Sequence, residues 1–287
     1  MMPTPSPSPS AHVPPPWLCE LPKKDPWSTP FAECLLKHLD VQPGHAILDV
    51  CCGDGIPAFY LAHQVGSAGR VVGVDMNHAQ LIRSRAVQGL AFPWLAFHHG
   101  DVRELPRHLG QFDRITGNLS FMFFRPNRQD ALRQIIQFLK PGGQLVLTFP
   151  SQGTFDSLWQ CVDREMLTRG FTRERERFMA YLAERPSAQD AHRWLEACGM
   201  VRVEVAEYPL EVQTNPGHEF LYHPLLRGGF LDDVYECFAD QEVAERFMED
   251  IADAVPGFLP LLANRCVMAA WLPGNESGEI ARPRESP

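Results

Sequence analysis

The stretch Ala46-Ile47-Leu48-Asp49-Val50-Cys51-Cys52-Gly53-Asp54-Gly55 decides the fold class. Its first five residues form a short apolar run interrupted only by Asp49, the length and composition of a buried strand. A turn of small residues follows. Residues 56–66 then take helical spacing, with Phe59, Ala62 and Val65 on one face. Pro57 suits the first turn of that helix, where its missing N–H does no harm. Small residues between strand and helix let backbone N–H groups approach a ligand at the positive end of the helix.

Downstream the same alternation repeats. Residues 70–75 read as a strand, 78–89 as a helix, and 94–98 and 112–116 as strands. A helix is expected over 127–139, with Leu132, Ile135, Ile136 and Leu139 facing inward; Pro141-Gly142-Gly143 ends it and leads into a strand at 144–149. Such alternation predicts a mostly parallel α/β sheet with helices on both faces. Ligands of such sheets bind at the carboxyl ends of the strands.

Acids and glycines gather at those ends. Gly53-Asp54-Gly55-Ile56-Pro57-Ala58 satisfies the dinucleotide pattern G-x-G-x-x-A, and Asp75 lies at the distance expected of a ribose-binding acid. A nicotinamide oxidoreductase is therefore a rival reading. Asp49, just before the glycine turn, is placed to face a cationic sulfonium and amino group. Gly100-Asp101-Val102 follows the third strand, where an acid can accept a hydrogen bond from an adenine amino group.

The runs ILDVCCGDG, VVGVDMN, HHGDV and LKPGG, in this order, resemble the class I S-adenosylmethionine-dependent methyltransferase superfamily, most of all its ubiquinone/menaquinone methyltransferase-like branch. The resemblance covers about residues 30–150 well and the remainder loosely. It implies a Rossmann-like, seven-stranded mixed sheet whose last strand is antiparallel, with S-adenosyl-L-methionine as cofactor. By position, it implies that Asp49, Gly53 and Gly55 form the methionine-side and backbone cradle. Asp75 would take both ribose hydroxyls, Met76 the adenine face, and Asp101 with the backbone of Val102 the adenine edge. Asn118 would lie near the methionine moiety. Cys51, part of the same turn, stands where many members have glycine; cysteine adopts unusual backbone angles less freely, so the turn is expected to be shaped differently there.

The acceptor side has weaker signals. Gly117-Asn118-Leu119-Ser120 lacks the Asn/Asp-Pro-Pro-aromatic run of enzymes that methylate base amines. The formal charge of −9 likewise argues against a dedicated nucleic-acid binder. Phe121-Met122-Phe123-Phe124, then Phe155 and Trp159, and Trp17, Trp27 and Phe31 cluster where a pocket belongs, so a small apolar or aromatic acceptor is expected. Residues 187–206 read as a last helix and sixth strand, with Val201, Val203 and Val205 alternating, and 264–272 as the seventh strand. Between them lies a mostly helical insertion, 209–263, with a helix near 240–254, placed to act as a lid. Its most reactive stretch, Gly217-His218-Glu219-Phe220-Leu221-Tyr222-His223, offers His223 as a candidate general base.

Composition bounds the rest. Residues 1–16 alternate Pro with Ser or Thr and are expected to form an extended, mobile tail, as is the polar stretch 274–287. The methyltransferase domain is expected over 17–273. No run of about 18 apolar residues suits a membrane span, and the N-terminus lacks the pattern of a secretory signal. The eight cysteines form no C-x-x-C pair, and His98-His99 lacks the spacing of a metal site, so no metal and a cytoplasmic location are expected. A non-catalytic scaffold that uses its Pro-rich tail for partners is the second rival.

Overall fold

The computed structural model describes residues 27–212, 221–222, 226, 231–254 and 260–274. Both expected tails, Trp17 and His223 lie outside the described residues. Seven strands form one sheet: β1 (Ala46–Val50), β2 (Arg70–Asp75), β3 (Leu95–His99), β4 (Phe112–Gly117), β5 (Leu139–Pro150), β6 (Val201–Glu211) and β7 (Leu262–Trp271). Their spatial order is β3-β2-β1-β4-β5-β7-β6. β1 to β5 pair in parallel, and β7 runs antiparallel to both β5 and β6. The chain therefore leaves β1 toward β2 on one side and resumes at β4 on the other. That reversal opens a crevice at the carboxyl ends of β1 and β4.

The helices are α1 (Ser28–His38), α2 (Ala58–Val65), α3 (His78–Gln88), α4 (Arg128–Ile136), α5 (Asp156–Thr168), α6 (Thr172–Glu184), α7 (Ala188–Ala197), α8 (Asp232–Tyr235) and α9 (Gln241–Ala254). One core layer, including Ile47, Val71, Leu61, Ala62 and Leu81, packs α2 and α3 on one face of the sheet. On the other face Leu48, Ile115, Leu132, Ile135 and Leu195 pack α4 and α7. α7 opens with a capping box, in which Ser187 and Asp190 satisfy each other's backbone N–H groups.

β6 runs to Glu211, so the insertion expected from 209 begins after that residue, and two larger differences from the sequence reading follow. α4 ends at Ile136 rather than near 139, and Leu139 is the first residue of β5, paired with Phe112. Lys140 to Gly143 of β5 stand opposite Asp113 alone, so three extra residues bulge out before the register resumes with Arg114 opposite Gln144. Gly142 takes φ +76°; its N–H donates to the Leu272 carbonyl after β7, and the Leu272 N–H donates to the Gly143 carbonyl. Proline and glycine here re-aim a strand rather than stop a helix.

The second difference concerns the cap. The insertion before β7 does contain a helix at Gln241–Ala254, but it does not stand alone. A separate segment, 151–187, supplies α5 and α6, and the two segments share one core. Trp159 and Phe178 from the first meet Leu231, Val234, Phe247 and Ile251 from the second, together with Trp27 and Phe31. Phe171 lies edge-on to Phe238 and Phe247 at 5.4 and 5.8 Å.

Candidate functional site

The parallel register sets the crest of the site. Asp49 pairs with Gly73 and Asp75 with His99, so Asp49, Asp75 and the Gly100-Asp101 turn rise stepwise along adjoining strand ends. Asp49 is fully buried. Its Oδ1 accepts a hydrogen bond from the Thr116 hydroxyl across the β1–β4 pair at 2.9 Å. Its Oδ2 is buried with no hydrogen-bond partner among the described residues. Burial, opposed by the Thr116 bond and reinforced by the nearby Asp75 charge, pushes the Asp49 carboxyl up to about 7. A buried, underserved carboxylate is costly alone and is relieved by a cation.

The glycine turn wraps around this carboxylate. Cys51 takes φ +53°, so cysteine adopts here the left-handed conformation that favours glycine. The Cys52 N–H donates to the Val74 carbonyl, which anchors the turn to β2. Gly55, at φ +90°, is irreplaceable for another reason: a Cβ there would lie 2.6 Å from Phe59 Cε2 and 3.1 Å from Phe97 Cζ. Burial drives the thiols of Cys51 and Cys52 upward, so neither is a ready nucleophile.

Asp75 closes the turn from β2. Its Oδ2 accepts from the Gly53 N–H at 2.8 Å and its Oδ1 from the Asn77 N–H at 2.7 Å. Each oxygen retains a lone pair for a ligand hydroxyl. Met76 beside it is exposed, and its carbonyl accepts a bond from His99 Nε2–H at 3.0 Å. Asp101 accepts the Arg103 backbone N–H and also holds the Arg103 guanidinium at 2.5 to 3.0 Å. Those bonds hold its carboxyl below the usual carboxylate range. Val102 is buried in the core behind this turn, so its side chain anchors the loop.

Asn118 is placed differently from the rest. Its Nδ2 donates to the Ser28 carbonyl at 3.0 Å and its Oδ1 accepts from the Thr148 hydroxyl at 2.8 Å. It therefore clamps the start of α1 over the ends of β4 and β5. Gln144, fully buried, clamps the other end of α1 through the His38 carbonyl and the Asp40 N–H. Thr116, Thr148 and Gln144 were not legible as site-supporting residues, because a polar residue inside a β-run signals nothing until its cross-strand partner is known.

The aromatic groups expected to line an acceptor pocket mostly pack instead. Phe155, Trp159, Trp27 and Phe31 belong to the cap core, and Phe121 and Phe124 to the sheet core. Met122 and Phe123 alone of these groups, among the described residues, border a cleft at the ends of β4 and β5.

A parallel sheet reversing between β1 and β4, with a glycine turn, three strand-end acids and a buried carboxylate, forms a Rossmann-like crevice whose charges suit a ligand bearing hydroxyls and positive charge. Comparison with known proteins agrees. Residues 47–143 match the methyltransferase domain family model. The methyltransferase GfsG of Streptomyces halstedii is 32% identical over 154 residues, 53% of this chain and 55% of its own. The demethylmenaquinone methyltransferase of Oceanobacillus iheyensis is 34% identical over 120 residues, 42% of this chain and 50% of its own. The chain thus spans about half the length of the curated relatives it matches. Among solved structures, Haemonchus contortus phosphoethanolamine N-methyltransferase 2, in complex with S-adenosyl-L-methionine, shares the fold at TM-score 0.53 and 15% identity, covering 86% of this chain and 53% of that one. The [4+2]-cyclase SpnF does so at 0.52 and 17%, covering 88% and 86%. Over residues 47–143, from β1 to the start of β5, the chain is thus similar to the methyltransferase domain family.

Proposed function

We propose that this chain transfers a methyl group from S-adenosylmethionine to a small organic acceptor. The observation that carries the reading is Asp49: a fully buried carboxylate with one idle oxygen at the glycine turn. That arrangement suits a ligand bearing ammonium and sulfonium charge. It opposes the anionic pyrophosphate of a nicotinamide dinucleotide, which would meet a like charge in a low-dielectric site.

In this reading Asp49, Cys51, Gly53 and Gly55 hold the methionine side of the donor, the glycines through close backbone approach. Asp75 takes the ribose hydroxyls with the lone pairs left by Gly53 and Asn77. Met76 covers the adenine, and Asp101 with the Val102 backbone reads its edge. Asn118 acts by holding α1 against the crevice. When bound, S-adenosylmethionine supplies an electrophilic methyl group with a good leaving group. The protein's task is then to align the acceptor, exclude water and, for an acidic acceptor, remove a proton. The acceptor enters over β4 and β5, beneath the cap built from 151–187 and the insertion before β7. His223 as a base lies outside the described residues. The described cysteines are all free thiols, which suits the cytoplasmic setting expected of the chain. No described helix is long and apolar enough to cross a membrane.

Titration calorimetry with S-adenosylmethionine and with NAD tests the reading. Saturable binding of the first and none of the second is expected, and the reverse pattern overturns it.

A further inference from the structure

The cleft at the ends of β4 and β5 is lined by three arginines from two separate segments. Arg125 and Arg128 follow the short turn after β4, and Arg185 ends α6. The Asp233 carboxylate in the same cleft is engaged by Arg125, whose Nη2 donates to Asp233 Oδ1 at 2.5 Å. Arg185 is 7% exposed; it donates to the Ser151 carbonyl at 3.3 Å and stacks 5.6 Å from the Trp159 ring. Glu184, the other carboxylate lining the cleft, is exposed at its rim.

Arg128 is the residue without an explanation. It is 8% exposed, and its Nε is buried with no hydrogen-bond partner among the described residues. The carboxylates within electrostatic reach are Glu184, Asp190 and Asp233. Asp233 serves Arg125, and Asp190 serves Ser187 and Arg193. Among the described residues lining the cleft, Asp233 is engaged by Arg125 and Glu184 is solvated, so neither meets the buried Nε of Arg128. Burying a guanidinium with an idle donor is unfavourable unless an anion completes it. The planar fork of arginine matches the oxygens of a carboxylate or phosphate. Met122 and Phe123 line the same cleft as the arginines, so a molecule with an apolar and an anionic part would find a partner for each there.

We propose that this cleft binds an oxyanionic group, a carboxylate or a phosphate, carried by the methyl acceptor, with Arg128 as its anchor and Arg125 and Arg185 beside it. The inference rests on the methyltransferase reading for its placement on the acceptor side. It revises the expected acceptor from purely apolar to amphiphilic and anionic.

The test uses the full chain saturated with S-adenosylhomocysteine, titrated calorimetrically with benzoate, benzamide, phenyl phosphate and inorganic phosphate. At least one organic anion is expected to bind about tenfold or more tightly than benzamide and than inorganic phosphate. Arg128→Gln is expected to lose that preference by a similar factor, while Arg128→Lys retains part of it; unchanged S-adenosylhomocysteine affinity certifies the fold of both variants. No anion preference in the native protein overturns the proposal, whatever the variants do. Equal binding in native protein and a folded Arg128→Gln also overturns it. Inorganic phosphate binding as tightly as the organic anions assigns the cleft to a free ion and overturns the acceptor assignment. Loss of donor binding with anion selectivity intact would instead sink the methyltransferase reading and leave the anion site standing.

Discussion

Asp75 has one task that the structure shows and a second that the proposed function gives it. It fixes the glycine turn through the Gly53 and Asn77 N–H groups, and it is proposed to hold the donor ribose with its remaining lone pairs. Asp75→Ala is expected to weaken S-adenosylmethionine binding by about 1.5–3 kcal/mol, the scale of charge-assisted hydrogen bonds. Calorimetry on the folded variant checks this, and unchanged affinity would remove Asp75 from the ribose site. Cys51 makes the opposite kind of prediction. A non-glycine residue at φ +53° bears a steric cost of roughly 1–2 kcal/mol, which glycine avoids while losing part of it back in chain entropy. Cys51→Gly should therefore stabilise the protein by up to about 1 kcal/mol in urea unfolding, and a destabilised variant would show that thiol packing outweighs the strain. These residues show what a sequence conveys at this scale. Strand-end acids and the glycine turn were legible because ligand chemistry demands those types in that order. The φ of Cys51 was not, since a residue type states a preference and the surrounding strands impose the angle.

Elements were legible where each buries its own periodic face against the sheet. α2, α4 and the inner strands follow that rule, and residue patterns place them within a few positions. The cap does not. α6, TRERERFMAYLAE, has a single fully buried side chain, Phe178, which meets the Trp159 ring of α5 at 5.9 Å and shares a core with residues some sixty positions further on. Burial there is a property of the tertiary pairing, so α6 taken alone has too few apolar residues to announce a packed helix. The shared core gives the pairing an energetic consequence. Phe247 is 1% exposed, stacked 5.2 Å from Phe238 and covered by Arg169 at 5.5 Å from its ring. Phe247→Ala should cost about 3–5 kcal/mol of stability, as large-to-small core substitutions do. If the cap and the sheet unfold as one unit, the denaturant midpoint falls in a single transition by circular dichroism and tryptophan fluorescence alike. Two separated transitions would show that the cap folds on its own.

For the whole molecule, the crevice at the sheet's reversal, where the donor is proposed to bind, is also an electrostatic weak point. Asp49 has a folded-state carboxyl raised to about 7, against an ordinary carboxylate value of 3.8. Between those values the unfolded chain has released this proton and the folded chain retains it. The folded state then binds more protons, so stability falls as pH rises from about 4 to about 7 and levels off above. Asp40, Asp101, Asp113 and Asp190 are held low and act in the opposite sense at acid pH, but they are common to native and variant proteins. The difference between native protein and Asp49→Asn therefore isolates the buried carboxyl, because asparagine can still accept the Thr116 hydroxyl and never ionises. We expect the melting temperature of Asp49→Asn, relative to native protein, to rise steadily between pH 5 and pH 7.5. Saturating S-adenosylmethionine should reverse the comparison. A cation beside the ionised carboxylate removes its cost, so ligand stabilisation of the native protein grows over the same pH interval, while the variant gains little at any pH. A temperature difference that stays flat with pH would mean that Asp49 ionises freely in the folded state. A donor-induced gain equally large in the variant would mean that the ligand's positive charge is met elsewhere in the crevice.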